Sequence, residues 1–474
     1  MKRILACAGM FVLLLATVLA AQFYLDSLPE EKKVKNEDKG KVSKYIAPDT
    51  EYLSFYDLGA FETHLPVLHI NTNGAQISKE NKIWATLAVK DATADRSLHS
   101  VLDEPDYEEA VQINYRGASS FSQFDKKQYR IKFFKKEGGT KDKEVSFLGM
   151  GEHSEWVLNG PFLDKTLMRN KLVYELGQEL FEWAPDSRYV EVFVNGKYQG
   201  VYLAVEPVTN GETRLRLCEF GLASGETAYV VKRDRVETEE EPLEVYGHYA
   251  GKTVNDIFID YPTKSNLTQQ QKEWIIKDID DFERVLYSEY FDDPKQGYAK
   301  YIDVEAFADY VVLNEFVLNH DAGNLSTYIY KELGGKLKLA IWDYNNAFDN
   351  YPWFAMDYGQ FYVAQNSWFD RLMQDRAFVD KVVTRYRELR TGILSEEALY
   401  SSIDTYEAEL SNATERNFKV WGYTFDEDLM SDNNALHYDA TSHEDAIAQL
   451  KGAIRARGNF MDEHIEDLYA NCVN

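Results

Sequence analysis

The stretch His320–Asn350, HDAGNLSTYIYKELGGKLKLAIWDYNNAFDN, constrains this chain more than any other. An acidic residue, Asp321, opens it in a polar loop with Asn324 and Ser326. A run with strand character follows (Thr327, Tyr328, Ile329, Tyr330), then Gly334-Gly335, a strong hairpin signal. The return strand, Lys336 to Trp342, alternates Leu337, Leu339 and Ile341 with Lys336, Lys338 and Ala340, and ends at Asp343 in an Asn-rich turn. With Gly334-Gly335 as a two-residue turn, register counting sets Ser326 opposite Asp343; a slip of two residues sets Asn324 there. Either register folds the first loop back toward Asp343. Two carboxylates and several amide or hydroxyl oxygens then meet at the open end. That set suits a divalent cation with oxygen ligands, beside a second carboxylate that can orient a nucleophile.

The order of parts is loop Asp, amide or hydroxyl, short hairpin, Asp. Protein kinases use this order: the first Asp accepts the hydroxyl proton and the second holds magnesium on the phosphates. Acids beside turns also serve as ordinary caps, so other parts of the chain must support such a reading.

The net charge of −27 argues against nucleic-acid binding, which needs clustered Lys and Arg. It leaves room for a nucleotide in a local basic pocket with a metal. With 474 residues, 32 Tyr and 26 Phe, the chain can bury a large core. Met1-Lys2-Arg3 followed by the apolar run Ile4–Leu19 reads as a secretory signal, with Ala20-Ala21 as a cleavage site. The run continues through Leu25, long enough for an uncleaved membrane anchor, and both versions export the body of the chain. Residues 26–62 form a charged linker. Beyond Cys7 only Cys218 and Cys472 remain, so at most one intramolecular disulfide is available.

From Leu65 the text turns strand-like: LPVLHI, IWATLAV after Asn73-Gly74, VQINYRG and KKQYRIKFFKK suggest an antiparallel meander. Arg116, Lys126, Lys127, Arg130 and Lys132 supply local positive charge, and Arg130 and Lys132 share a strand face, where cations can clamp a polyphosphate. The loop Gly117–Ser120 can offer backbone N–H groups to a phosphate, although it has no P-loop signature. WVLNGPFLDKTLMRNKLVYELGQELFEWAP holds a helix, with Asp164 as its expected N-cap and Met168, Leu172, Leu176 and Leu180 at i+4 spacing. Glu175 and Glu179 read as a solvated stripe. Asn195-Gly196 marks a second hairpin, which ends near Glu206 at a strand exit. AYVVKRD adds a strand ending at Asp234. Thr268–Tyr287, Val304–Leu318 and most of the chain after Asn350 read as helices, the second of them amphipathic. The pattern is α+β: a β-rich first half (63–208) with one main helix, and a mostly helical second half (209–474) that carries the hairpin.

Four blocks in order, YRGASSFSQFDKKQYRIKF, WVLNGPFLDKTLMRNKL, VEVFVNGKYQGVYLAVEPV and LNEFVLNHDAGNLSTYIY…KLKLAIWDYNNAF, resemble the CotH family of spore-coat protein H-like atypical protein kinases. The resemblance covers about Leu65 to Trp421. It implies a divergent two-lobed kinase-like fold with a nucleotide-binding N-lobe, ATP with Mg²⁺ or Mn²⁺, and phosphate transfer to Ser or Thr of exported or spore-coat proteins. Asp321 matches the family's catalytic acid/base and Asp343 its metal-holding Asp, with Asn324 and Asn345 as further ligands. The basic block matches at Lys126, Lys127, Arg130 and Lys132. Lys132 is the first choice for the phosphates and Arg130 the second, with Arg116, Lys127 and Glu206 as further nucleotide-site candidates. Two positions depart from the family's pattern: Ser326 stands where a kinase loop carries Asn, and Asn345 where members often carry an acid. An inactive coat scaffold, or another transfer from ATP such as adenylylation, fits the same residues.

Overall fold

A computed structural model describes residues 45–94, 96–236, 241–351, 355–426 and 440–474. The signal or anchor at 1–25 and most of the charged linker lie outside the described residues, as does part of the acidic run after Asp234. Among the described residues no helix is long and apolar enough to cross a membrane.

Two short strands, β1 (Glu62–Thr63) and β4 (His99–Ser100), pair with each other. The other early strands are β2 (Val67–Asn71), β3 (Ile83–Lys90), β5 (Tyr107–Arg116), β6 (Gln128–Phe134), β7 (Glu155–Asn159), β8 (Ser187–Val194) and β9 (Lys197–Val205). They close into a barrel in the order β2-β3-β5-β6-β7-β9-β8. The expected antiparallel meander is present from β2 through β3, β5 and β6 to β7, and its closure into a barrel is the unexpected part. The closure comes from β8, which pairs antiparallel with β9 and parallel with β2. All five residues of β2 are buried, as befits a strand with no free edge. Alternate residues such as Leu68, Ile70, Ile113, Ile131, Trp156 and Val192 fill the interior. Asn195 and Gly196 both take positive φ (50° and 80°), the backbone that a two-residue hairpin requires.

The main helix of this half, Arg169–Leu180, buries Leu172 and Leu176, while Glu179 is exposed and Glu175 pairs with Lys171. It starts later than Asp164 suggests. Asp164 is a buried acceptor for the Arg169 N–H and guanidinium across an extended turn and does not occupy the cap position. Gly177 lets this helix press on the second half of the chain, because a Cβ there would meet Ile341 Cδ1 at 2.2 Å.

The second half contains a four-stranded antiparallel sheet: the expected hairpin and the expected strand ending at Asp234 are joined by one strand the sequence did not announce. Its order is β11 (Asp256–Tyr261), β10 (Tyr229–Asp234), β12 (Thr327–Lys331), β13 (Lys338–Ala340). The helix Gln269–Leu286 begins at a Thr268/Gln271 capping box. Val304–Phe316 is buried from Phe307 to Phe316 on every side, so it is a central helix and not an amphipathic one. Arg376–Arg390, Glu396–Leu410, Ala413–Trp421 and His443–His464 complete the helical part. Cys218 and Cys472 are both free thiols.

The helix Ala413–Trp421 returns to the barrel. Asn417 Oδ1 accepts the Val201 N–H (3.1 Å) and the Lys126 ammonium (2.8 Å), and Arg416 forms a buried pair with Glu191 (2.9 Å). Lys126 also donates to the Val201 carbonyl (2.6 Å), and burial pulls its pKa well down. It is therefore an anchor between barrel and helix.

His69 on β2 is buried between Phe193 and Tyr45, and among the described residues its Nδ1 has no hydrogen-bond partner. Desolvation lowers its pKa from 6.5 to about 4. The unfolded chain binds this proton more readily, so the stability contribution is whole above about pH 6.5 and is lost as pH falls through 4. Denaturant titrations of His69→Leu against the parent should show the parent losing roughly 3 kcal/mol more across that window.

Candidate active site

The β5–β6 register sets Arg116 opposite Gln128, Asn114 opposite Arg130 and Gln112 opposite Lys132, so these side chains share one face. At the Arg116 end that face forms one wall of a cleft of about 510 Å³. The loop Gly117–Ser120 continues this wall; Gly117 (φ 95°) is required there, because a Cβ would meet Ser120 Oγ at 2.0 Å. The ends of the second sheet form the opposite wall, with Lys232 and Asp234 on β10, Asp260 on β11, and Asp321, Asp343, Asn345 and Asn346 on the loops that flank β12 and β13. Asp321 and Asp343 thus share one cleft with Arg116 and Arg130, in a volume typical of small-ligand sites.

The hairpin reaches this arrangement in a different register from that expected. Tyr328 pairs with Ala340 and Tyr330 with Lys338, which by extension sets Ser326 across from Trp342. The Gly335 N–H bonds to the Glu332 carbonyl and Gly334 carries the positive φ (74°), so the turn centres on Leu333-Gly334, one residue earlier. Asp343 comes to the cleft because it leaves the strand in a left-handed conformation (φ 65°), rare for a non-glycine residue.

Three groups hold that bend. The Asn170 side-chain oxygen accepts the Tyr344 N–H at 2.6 Å, Arg169 Nε donates to the Ala347 carbonyl at 2.8 Å, and the Tyr344 hydroxyl donates to Asn314 (3.0 Å). Arg116 donates to Gln128 Oε1 (2.7 Å) and lies 5.2 Å from the Trp342 ring centre, which braces its cation next to the bend. Asp343 keeps some contact with solvent, yet its pKa is pushed up to about 6. Burial is the main cause; Arg116 opposes it, and the neighbouring charges of Asp321 and Asp234 add to it. Asn346 Nδ2 approaches Asp321 Oδ2 at 3.4 Å, and Asn345 donates to Asn346 (2.8 Å).

The remaining candidates lie elsewhere. The next cross-strand pairs set Lys132 against Glu155, and its ammonium bridges Glu155 (3.0 Å) and Asp142 (2.8 Å), outside the cleft lining. Lys127 donates to the Phe121 and Phe124 carbonyls and so fastens the loop beside the cleft. Glu206 lines a different cavity and faces Arg214 at 3.5 Å. Asn324 Oδ1 accepts from Ser367 Oγ (2.9 Å), so its amide is committed away from the cleft. Sequence reasoning did not single out Asn346, Lys232, Asp234, Arg235 or Asp260 as site residues. For Asp234 a signal existed, namely a carboxylate at the exit of a strand; β11, which brings Asp260, went unread.

Arg116 and Arg130 stand on the barrel wall, and the carboxylates stand opposite them with Lys232 among them. The CotH kinase protein family model matches residues 113–461, from within β5 to the C-terminal helix, and the chain belongs to the CotH family. It is also similar to inner spore coat protein H of Bacillus subtilis (strain 168), with 27% identity over 237 residues, half of this chain and 58% of that relative.

If Asn170 sets the bend at Asp343, Asn170→Ala leaves the buried Tyr344 N–H without an acceptor. A loss of about 1–3 kcal/mol in urea denaturation is expected, with the fold retained by circular dichroism.

Proposed function

We propose that this protein is an exported, metal-dependent protein kinase that transfers the γ-phosphoryl group of ATP to Ser or Thr of surface or spore-coat proteins. The observation that carries this reading is the convergence of Asp321, Asp343, Arg116 and Arg130 on one cleft. The donor set fits the implied ligands. Among the described residues no three His, Cys, Asp or Glu side chains form a metal cage. Magnesium in phosphoryl-transfer sites is held by one or two carboxylates together with substrate phosphates, so a cage is not needed. The raised pKa of Asp343 comes chiefly from burial, with the charges of Asp321 and Asp234 adding to it, a setting that a bound cation relieves.

Bound ATP with Mg²⁺ or Mn²⁺ would supply the transferable phosphoryl group and shield its charge. Asp343, with the Asn345 amide, would hold the cation. Arg116 and Arg130 would neutralise the phosphates from the barrel wall and orient them by charge-assisted hydrogen bonds. Asp321 would accept the substrate hydroxyl proton as the new P–O bond forms and the bond from the γ-phosphorus to the β–γ bridging oxygen breaks, with ADP as the leaving group, so catalysis is positioning and electrostatics. The barrel half thus serves nucleotide binding and the helical half carries the carboxylates. The acidic rim, with Asp234 and Asp260 among its residues, and the net charge of −27 favour basic, Ser/Thr-rich protein substrates over nucleic acid. The spore-coat name of the relative and the apolar N-terminal segment support a location outside the cytoplasm.

One observation favours a second reading, an inactive coat scaffold. With Asn324 bonded to Ser367 and Asn345 neutral, Asp343 has no anionic neighbour in the family's usual second position. Incubation with ATP, Mg²⁺ and a Ser-rich basic protein, read by intact mass, separates kinase, nucleotide transfer and no reaction. Asp321→Asn is expected to lower phosphoryl transfer about 10²- to 10⁴-fold, and Asp343→Asn to abolish measurable turnover. Arg116→Met is expected to raise KM for ATP. An unchanged rate in Asp321→Asn contradicts the mechanism.

A further inference from the structure

The loop that presents Asp321 belongs to no strand or helix, and its own backbone bonds are few: the Asp321 carbonyl accepts the Asn324 and Leu325 N–H groups (3.0 and 2.7 Å), and the Gly323 N–H is taken by Thr327 Oγ1 (2.9 Å). The Ala322 N–H also bonds to the Asn319 carbonyl (3.2 Å), and Asn255 Nδ2 donates to the Asn324 carbonyl (3.0 Å). Further hold comes from a second set of side chains remote in sequence. Asn366 Nδ2 donates to both the His320 carbonyl (3.2 Å) and the Ala322 carbonyl (2.7 Å), the two that flank Asp321. Ser367 Oγ donates to Asn324 Oδ1 (2.9 Å). Trp368 packs its ring 4.2 Å from the buried Arg233 guanidinium, whose NH1 donates to the Gly323 carbonyl (3.0 Å).

We infer that Asn366-Ser367-Trp368 is a bracket that positions the Asp321 carboxylate, with the Asn366 amide as its central member. The role rests on the kinase reading, because it assumes that Asp321 receives the hydroxyl proton. A free peptide loop with a glycine at its centre (Gly323, φ 84°) has several backbone states available. One planar amide that donates from a single nitrogen to the His320 and Ala322 carbonyls fixes the peptide plane before Asp321 and the plane after Ala322. The plane between them is held by the Ala322 N–H on the Asn319 carbonyl (3.2 Å) and by the Asp321 carbonyl, so the direction of the Asp321 Cα–Cβ bond is set from both sides. Close packing supports this: a Cβ on Gly323 would meet the Phe369 ring at 3.0 Å and Asn366 Cβ at 3.2 Å, so the loop and the bracket leave no room between them. Trp368 itself is held at φ 70°, a strained backbone for a large side chain, and its Nε1 is tied to Glu283 (2.8 Å). The bracket is therefore built into the core on its far side. Asn366 does not line the cleft, so it touches neither nucleotide nor protein substrate there and acts through Asp321 alone.

Asn366→Asp keeps the shape and replaces the two N–H donors with an acceptor facing two carbonyls; Asn366→Ala removes the group altogether. In the full protein, both variants are expected to lower kcat about 10- to 100-fold while KM for ATP stays unchanged, since the nucleotide contacts are untouched. Hydrogen exchange supplies a readout independent of turnover: the Asn324 and Leu325 amides should exchange at least 10-fold faster in both variants, while those of the barrel strands do not change. Unchanged exchange in the loop, or loosened exchange with kcat at the parent value, overturns the inference. A parent protein with no phosphoryl transfer overturns the kinase reading instead, and the exchange result then still decides whether Asn366 holds the loop.

Discussion

Everything in this site depends on keeping carboxylates together that repel one another. Asp321, Asp343 and Asp234 contribute to one cleft, and their mutual repulsion adds to burial in raising the Asp343 pKa. Left to itself, such a cluster would splay apart. It stays together because its backbone is fastened from behind: Asn170, Arg169 and Asn314 hold the segment after Asp343, and Asn366 and Arg233 hold the loop around Asp321. The barrel face answers with the braced cation Arg116 and with Arg130.

This fastening accounts for two of the four sequence blocks as physical units. The block around Met168–Leu172 contributes Arg169 and Asn170, which bond to the chain beyond Asp343 some 175 residues away, as the 174-residue separation of Asn170 and Tyr344 shows. The LNEF block contributes Asn314, whose side-chain oxygen receives both the Tyr344 hydroxyl and the Asn319 amide (2.8 Å). These residues have no chemistry of their own to perform, yet the geometry of the proposed ligands runs through them.

Legibility in the sequence followed the range of the interaction. Local signals worked well: Asn195-Gly196 gave its hairpin, Thr268 capped its helix, and the loop-hairpin-Asp order brought Asp321 and Asp343 to one cleft. A one-residue error in the turn at Gly334 shifted the expected register, although the left-handed bend at Asp343 still delivered the carboxylate. Non-local features were not readable. The parallel β2–β8 pairing that closes the barrel joins segments about 120 residues apart, and periodicity carries no information on it. Lys132 was the first choice for the phosphates within the family's basic block, but the neighbouring strand places Glu155 against it. Asn324 had the right chemistry and position along the chain, yet Ser367, remote in sequence, takes its oxygen.

The central claim is that a nucleotide triphosphate and its cation occupy the space between the barrel cations and the two aspartates. A crystal structure with a non-hydrolysable ATP analogue and Mn²⁺, with manganese located by anomalous scattering, tests this most directly. The account requires the manganese peak at the Asp343 carboxylate and the triphosphate against Arg116 and Arg130. Nucleotide or manganese bound elsewhere, for example in the 660 Å³ cavity lined by Arg96, Arg188 and Glu409, would contradict it.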